Sequence, residues 1–194
     1  MNKKLKIGLF GGTFDPVHLG HLLVAQAAVE ELGLDRLFFI PAAQSPFKPE
    51  KKPAADATRL QLLRLALAGK SSCEIDGQEI QRGGISYAVE SLRDYTRRFP
   101  GAEFFYLIGA DHAAKLNEWR EPEKLARLAE FVVVPRPGEG LAKFPAPFRG
   151  RTLKGFPFGV SSSEIRARVK TGFTIEHLVS PAVAEAIRVA GIYV

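Results

Sequence analysis

Short apolar segments alternate with longer amphipathic segments along this chain, and this alternation restricts the fold more than any other feature. Residues 6–10 (KIGLF), Arg36–Pro41 (RLFFIP) and residues 103–109 (EFFYLIG) are apolar runs of strand length that end at or beside glycine or proline. Leu19–Leu32 is rich in leucine, alanine and glutamate at helical spacing, and Gly33 is a suitable C-cap. Strands that alternate with such helices form parallel sheets.

The predicted fold class is therefore α/β: a Rossmann-like, doubly wound and mostly parallel sheet with helices on both faces. Further helices are predicted from Asp56, as N-cap, to about Ala68, and over residues 86–99, 111–119, 122–129, 161–171 and 181–190. Further strands are predicted over residues 72–76, 131–134 and 151–154, and loops over the proline-rich segments 42–53 and 136–158. No repeat or linker divides residues 1–194, so one domain is expected. Ligands of such sheets bind at the carboxyl ends of the strands, here just after Phe10, Pro41, Gly109 and Val134.

The composition is that of a folded protein with anionic ligands. Of the 194 residues, 46% are hydrophobic and 25% are charged, as in ordinary globular domains. The one cysteine, Cys73, excludes an intramolecular disulfide, and no apolar run could span a membrane, so a cytoplasmic location is expected. The net charge of +6 favours anions, but the basic residues are scattered and lack interleaved aromatic residues. We predict phosphorylated small molecules as ligands, and neither nucleic acid nor a membrane as a partner.

The segment GGTFDPVHLGH, residues 11–21, follows the first strand and opens the first helix. Gly11 and Gly12 allow the backbone to approach a ligand, and the helix N-terminus favours an anion. His18 and His21 are three residues apart, so both imidazoles lie on one side of the helix entrance and can donate to a triphosphate. Two glycines in a tight turn with packed histidines would give the same pattern. No third metal ligand is evident, so no protein metal site is predicted.

The segment VSSSEIR, residues 160–166, is the second candidate. Ser161 followed by Glu164 fits a capping box, so a helix starts here. Taken alone, the segment would only cap that helix. Its hydroxyl groups, its N-terminal amides and Arg166 could together also hold the β- and γ-phosphates of a nucleotide.

Together the two segments resemble the signatures of the HxGH superfamily of nucleotidyltransferases. The second signature is usually ISSTxIR, and here Val160 replaces isoleucine and Ser163 replaces threonine. The resemblance implies that ATP is bound by residues of both segments, namely Gly11, Gly12, Thr13, Phe14, His18, His21, Ser162, Ser163 and Arg166. It further implies that His18, His21 and Arg166 are catalytic.

Three further segments resemble the nicotinate-nucleotide adenylyltransferases, and the likeness runs from residue 6 to residue 193. Gly109-Ala110-Asp111 with Trp119 resembles the GxD…W segment, Ser86-Tyr87-Ala88 resembles SYT, and residues 45–49 (SPFKP) resemble the PPHK loop. Ala88 replaces threonine and Phe47 replaces histidine. The resemblance implies a mononucleotide site formed by Thr13, Lys48, Tyr87, Ala88, Gly109, Asp111 and Trp119. It places the ribose at the aspartate, the pyridine ring on the tryptophan and the nicotinate carboxylate on backbone amides.

The implied reaction joins nicotinate mononucleotide to the AMP moiety of ATP, giving nicotinate adenine dinucleotide and pyrophosphate in NAD biosynthesis. Mg²⁺ is expected to be carried on ATP.

Nicotinamide mononucleotide remains an alternative substrate, because one charge distinguishes it from nicotinate mononucleotide. Phosphopantetheine adenylyltransferases are shorter, usually have threonine at the position of His18 and lack the GxD…W segment. A basic RNA-binding α/β protein would need a stacking surface that this sequence does not display. The sequence is compatible with a homo-oligomer and leaves the number of subunits open.

Overall fold

The computed structural model describes residues 3–47, 50, 52–134, 137–138, 140–156 and 158–194. The strands in this part of the chain are β1 (Lys6–Gly12), β2 (Arg36–Pro41), β3 (Cys73–Ile75), β4 (Glu103–Ile108), β5 (Glu130–Val133) and β6 (Gly150–Thr152). The helices are α1 (Leu19–Leu32), α2 (Asp56–Leu67), α3 (Gln78–Arg82), α4 (Ala88–Arg98), α5 (Ala110–Ala113), α6 (Pro122–Leu128), α7 (Ser162–Lys170) and α8 (Pro181–Val189). A short 3-10 turn, Leu116–Glu118, lies between α5 and α6.

The six strands form one sheet in the order β3-β2-β1-β4-β5-β6, and every pairing between them is parallel. Leu9 of β1 is in register with Phe38 of β2 on one side and with Tyr106 of β4 on the other. The order runs outward in both directions from β1 and β4, so the sheet is doubly wound. The predicted fold class is confirmed, with a sheet that is entirely parallel rather than mostly so.

Alternate residues of the central strands supply two separate hydrophobic layers. Leu37 and Phe39 belong to the layer beneath α2, α7 and α8, whereas Phe38 and Ile40 belong to the layer beneath α4 and α6. This is the pattern of a sheet that is covered on both faces. Gly8 of β1 leaves room for its neighbours, because a Cβ atom there would lie 2.5 Å from methyl carbons of Leu34 and Leu37.

Several predicted boundaries are corrected by the structure. Asp56 is the first residue of α2 rather than its N-cap, which is Ala55. The helix predicted from residue 86 begins at Ala88, so the segment before it is extended. The helix predicted over residues 111–119 is replaced by α5 and the 3-10 turn, and α3 was not predicted at all. Among the described residues, no helix is both long enough and apolar enough to cross a bilayer.

Arg59 of α2 is a fully buried charged side chain, and its hydrogen bonds explain how it is tolerated. Its guanidinium donates to the carbonyl oxygen of Thr13 at 2.8 Å and to that of Ala54 at 3.1 Å, and it also donates to the Asp56 carboxylate. A buried charge needs such partners, because its desolvation is otherwise uncompensated. Arg59 thus ties α2 to the loop that follows β1.

We expect Arg59→Met to lower the free energy of unfolding by about 2–4 kcal/mol, because buried carbonyl groups lose their donors while the volume of the stem is retained. Urea unfolding followed by far-UV circular dichroism measures the change. Arg64→Met on the exposed face of the same helix is the matched control and should stay within about 0.5 kcal/mol of the parent. Equal losses in the two variants would contradict a structural role for Arg59.

Candidate active site

A pocket of about 510 Å³ opens at the carboxyl ends of β1 and β4, where the strand order reverses. Its walls include residues 11–13 at the end of β1, Ala42 and residues 45–47 after β2, residues 86–88 at the start of α4, and Ile108 and Gly109 at the end of β4. Three of the four predicted segments therefore line this pocket. The fourth, after Val134, contributes no lining residue in the described part of the chain. The location agrees with the general rule for ligand sites in open parallel sheets.

The loop after β1 is shaped by Phe14, whose φ of 49° lies in the left-handed region that non-glycine residues seldom adopt. Phe14 as a whole is 2% exposed, and its ring contacts Phe10 and Phe39 at centroid distances of 5.4 Å. This packing stabilises a backbone conformation that is otherwise costly. Phe14, to which the resemblance assigns ATP binding, is therefore buried as a whole residue and supports the loop from beneath.

The two histidines lie side by side at the start of α1, where His18 is the N-cap. Their ring centroids are 3.7 Å apart, with an interplanar angle of 32°. The His18 backbone N–H donates to His21 Nδ1 at 3.2 Å, so a neutral His21 carries its proton on Nε2. A Cβ atom on Gly20 would lie 3.0 Å from His18 Nδ1, which explains why glycine suits the position between the histidines.

The second motif packs directly against this loop. Ser161 caps α7 by accepting a hydrogen bond from the Glu164 N–H at 3.2 Å, as the sequence predicts. The Ser162 hydroxyl donates to the carbonyl oxygen of Pro16 at 2.9 Å. Arg166 donates to the carbonyl oxygen of Asp15 at 2.5 Å and to Ser163 Oγ at 3.0 Å. Segments about 150 residues apart in sequence therefore meet, and the guanidinium lies against the segment that leads to the histidines.

Aromatic rings form one wall of the pocket. Trp119 contacts Phe47 at 5.4 Å and Tyr106 at 6.2 Å between ring centroids, and Phe47 also contacts His112 at 4.7 Å. The buried Trp119 Nε1 has no hydrogen-bond acceptor within the described residues. The ring of His112 also packs against Trp119, at a centroid distance of 6.0 Å, and so belongs to the same wall.

The remaining residues assigned to the mononucleotide have different positions. Tyr87 and Ala88 line the pocket at the start of α4, and Gly109 lines it as the N-cap of α5. Asp111 is exposed and does not line the pocket, but it folds back so closely that a Cβ on Gly109 would lie 2.5 Å from its Oδ1. Lys48 lies outside the described residues.

Glu79 and Tyr106 line the pocket and were missed by the sequence reasoning. The Glu79 carboxyl is 3% exposed and accepts a 2.5 Å hydrogen bond from the Ser91 hydroxyl. Burial raises the pKa of Glu79, and hydrogen bonds from Ser91 and Ser86 oppose part of that rise. Burial, assisted by the nearby Glu79, also raises the pKa of Tyr106, which keeps its phenol neutral. A carboxyl group on an unpredicted short helix gave no signal in the sequence.

No group of three or more His, Cys, Asp or Glu side chains suitable for a metal ion occurs among the residues that the structure describes. Cys73 is a partly buried free thiol, and burial raises its pKa. Such a thiol is a poor nucleophile at neutral pH. The groups that the two signatures bring together are two imidazoles, a guanidinium and hydroxyl groups.

Comparison with known proteins gives consistent matches. The model of the cytidylyltransferase-like family matches residues 9–168. A probable nicotinate-nucleotide adenylyltransferase of Thermus thermophilus is 41% identical, covering 97% of this chain and all of the relative. One from Opitutus terrae is 38% identical, covering 90% of this chain and 91% of the relative. The solved nicotinic acid mononucleotide adenylyltransferase of Plasmodium falciparum complexed with NaAD has the same fold, with a TM-score of 0.77 at 17% identity over 97% of each chain.

A doubly wound parallel sheet with the two signatures joined at its switch point defines a nucleotidyltransferase of the cytidylyltransferase-like family. Within that family, the chain belongs to the nicotinate-nucleotide adenylyltransferases, since relatives of that name match it over nearly the whole length.

The raised pKa of Glu79 gives stability a defined pH dependence. The Glu79 carboxyl group stays protonated to a higher pH in the folded protein than in the unfolded chain. Folding is therefore accompanied by proton uptake between the ordinary pKa of 4.5 and the folded pKa. The parent should therefore lose stability relative to Glu79→Gln as the pH rises from 4.5 to the folded pKa, and the difference should be constant above it. Urea unfolding at a series of pH values measures this difference.

Glu74→Gln is the control of opposite sign. The hydrogen bond from Arg36 lowers the pKa of Glu74, so its stabilisation is present above 4.5 and is lost as the pH falls through the folded pKa. Relative to this variant, the parent should gain stability as the pH rises towards 4.5. If the stability difference between the parent and Glu79→Gln did not change with pH, or changed in the same direction as that for Glu74→Gln, Glu79 would not titrate as described.

Proposed function

We propose that the enzyme transfers the AMP moiety of MgATP to the phosphate of nicotinate mononucleotide, with release of pyrophosphate, as a step of NAD biosynthesis in the cytoplasm. The observation that carries the proposal is the contact between the two signatures. Arg166 and Ser162 hydrogen-bond to the carbonyl groups of Asp15 and Pro16, just before the histidines and beside a pocket with an aromatic wall. The names of the relatives support the choice of substrate.

The reaction needs no protein nucleophile. An oxygen of the mononucleotide phosphate attacks the α-phosphorus of ATP, a new P–O bond forms, and the bond to the β-phosphate oxygen breaks. The protein has to align the two phosphates and to offset the negative charge that builds up on the leaving pyrophosphate. Mg²⁺ enters with ATP as part of the substrate and keeps most of its ligands from phosphate and water.

The histidines are proposed to act at the bridge between the α- and β-phosphates. Because His21 Nδ1 accepts from the His18 backbone, a neutral His21 carries its proton on Nε2, the atom that is proposed to donate to a phosphate oxygen. The stacked ring of His18 and the packed rings of Phe10 and Phe14 restrict its orientation. A donor that is held in place before the reaction needs little reorganisation when charge develops. Gly11, Gly12 and Thr13 complete the ATP site with backbone groups.

The leaving β- and γ-phosphates are proposed to bind at the N-terminus of α7. Ser162 and Ser163 lie in its first turn. The N-terminus is the positive end of the dipole of this nine-residue helix, and it therefore favours a phosphate. The Arg166 side chain is 21% exposed, so it is partly accessible to a ligand. A guanidinium can bind two phosphate oxygens at once, which suits a pyrophosphate leaving group.

The mononucleotide is proposed to occupy the pocket between Trp119 and the start of α4. Tyr87 and Ala88 would present backbone N–H groups to the nicotinate carboxylate, a role that survives the loss of the threonine hydroxyl at position 88. Gly109 would allow close approach, Asp111, next to Gly109 and His112 of the lining, would accept from the ribose, and Thr13 and Lys48 would approach the phosphate. The second candidate is nicotinamide mononucleotide, which offers a neutral amide to the same N–H groups.

We expect His21→Ala to lower kcat about 10²–10³-fold, the loss typical of removing one preorganised transition-state donor. Steady-state release of pyrophosphate from ATP and nicotinate mononucleotide measures the effect. His177→Ala is the control, because His177 is exposed and does not line the pocket. Unchanged turnover of the His21 variant would exclude the proposed role.

We expect Trp119→Ala to raise KM for the mononucleotide about tenfold, because base–aromatic stacking contributes about 1–3 kcal/mol per ring. KM for ATP should change less than twofold, which serves as the internal control. A rise in KM for ATP as large as that for the mononucleotide would mean that Trp119 supports the whole fold of the site.

Assaying nicotinate and nicotinamide mononucleotides in competition decides between the two substrates, and a higher kcat/KM for the nicotinamide form would overturn the proposal.

A further inference from the structure

Asp15 is a buried carboxylate that links three distant parts of the chain. Its side chain is almost inaccessible, with the whole residue 6% exposed. Oδ1 accepts hydrogen bonds from the Tyr193 hydroxyl at 2.8 Å and from the Ala54 N–H at 3.3 Å. Oδ2 lies 3.6 Å from Arg166 Nη1. The residue thus connects Tyr193, the segment before α2 and the arginine of the second signature.

The contact between Asp15 and Arg166 is looser than the neighbouring contacts. The same Nη1 donates at 2.5 Å to the Asp15 carbonyl oxygen, and Nη2 donates to Ser163 Oγ at 3.0 Å. At 3.6 Å from Oδ2, the guanidinium is attracted by the carboxylate but does not form the close, two-pronged pair that arginine and aspartate form when both are free to adjust. The other carboxylate oxygen is occupied by Tyr193 and Ala54.

Tyr193 is itself firmly held. Its φ of 72° lies in the left-handed region, and its ring packs against the hydrophobic layer that contains Phe14 and Val17. Burial and the hydrogen bond to Asp15 raise the pKa of its phenol, so the hydroxyl remains a proton donor. A fixed donor on Oδ1 restricts rotation of the carboxylate towards Arg166.

We propose that Tyr193 is a positioning residue for nucleotidyl transfer: its hydroxyl holds the Asp15 carboxylate so that Arg166 keeps its free N–H groups directed at the leaving phosphates. The inference rests on the proposed function, in which Arg166 binds pyrophosphate. Without the hydroxyl, the carboxylate can turn and pair closely with Arg166. The guanidinium would then shift away from the phosphates by part of an ångström, and misplacement on that scale is costly for phosphoryl chemistry.

Tyr193→Phe removes the hydroxyl and little else. We expect kcat to fall about tenfold, with KM for the mononucleotide unchanged within twofold, because the mononucleotide pocket is not involved. The matched control is Tyr95→Phe, since the Tyr95 hydroxyl also donates to a carboxylate, that of Asp76, at 2.7 Å. Tyr95 belongs to the other hydrophobic layer and does not line the pocket. The Tm of thermal unfolding should fall by a similar amount in both variants, whereas only the Tyr193 variant should lose turnover.

A double-mutant cycle with Arg166→Ala identifies the route of the effect. If Tyr193 acts through Arg166, Tyr193→Phe will cause no further loss of kcat in the Arg166→Ala background. The proposal is overturned if the two losses multiply, if Tyr193→Phe keeps kcat within twofold of the parent, or if Tyr95→Phe loses as much kcat as Tyr193→Phe.

Calorimetry with a non-hydrolysable ATP analogue separates this inference from the proposed function. If the parent binds the analogue but does not turn over nicotinate mononucleotide, the proposed substrate is wrong, and the same cycle is then evaluated on Kd for the analogue. A weaker affinity in Tyr193→Phe that disappears in the Arg166→Ala background would support the link from Tyr193 to Arg166. Equal affinities of the parent and Tyr193→Phe, in that case, would overturn it.

Discussion

Parallel pairing of β1 with β2 on one side and β4 on the other is the constraint on which the site depends. Since all six strands run in one direction, every loop that follows a strand emerges at the same edge of the sheet. The reversal of strand order opens a crevice at that edge, and the loop after β1 passes beside it. At the start of the next helix, α1, the ring of His21 packs against Phe10, which lines the crevice, and His18 stacks on His21. The position of the candidate site is thus set by the topology of the sheet and not by any single side chain.

Buried charges then fix the loop in position. Arg59 donates to the carbonyl oxygen of Thr13, and Asp15 accepts from Tyr193 and lies beside Arg166. Arg59 and Asp15 are both buried and both have hydrogen-bond partners, which is the condition under which a charge is tolerated in a protein interior. Such networks contribute more to a defined geometry than to net stability. For a reaction catalysed by positioning and electrostatics, a defined geometry is what the site requires.

The sequence predicted the parts of this structure that local patterns encode. The alternation of apolar and amphipathic segments gave the fold class, and Ser161 with Glu164 gave the start of α7. It did not reveal α3, because a helix of five residues is too short to show a helical periodicity. The buried position of Glu79 was missed with it, because Glu79 lies on that helix. The Asp15–Tyr193 hydrogen bond joins residues 178 positions apart, and no local rule connects them. The two signatures could be paired only through their resemblance to known proteins, and their contact became visible in the structure.

The departures of this chain from the family pattern are accommodated by local packing. Phe47, where histidine is usual, lies against Trp119 and His112 at the mouth of the pocket, so its apolar ring is sheltered by other rings although the residue is 46% exposed. Phenylalanine has no polar side-chain atom, so Phe47 offers no side-chain hydrogen bond to a ligand of the pocket. Because Phe47 and Trp119 already touch, a pyridine ring that stacks on Trp119 either uses its other face or displaces Phe47. In the proposed mononucleotide site, Phe47 would therefore form an apolar cover over the ring.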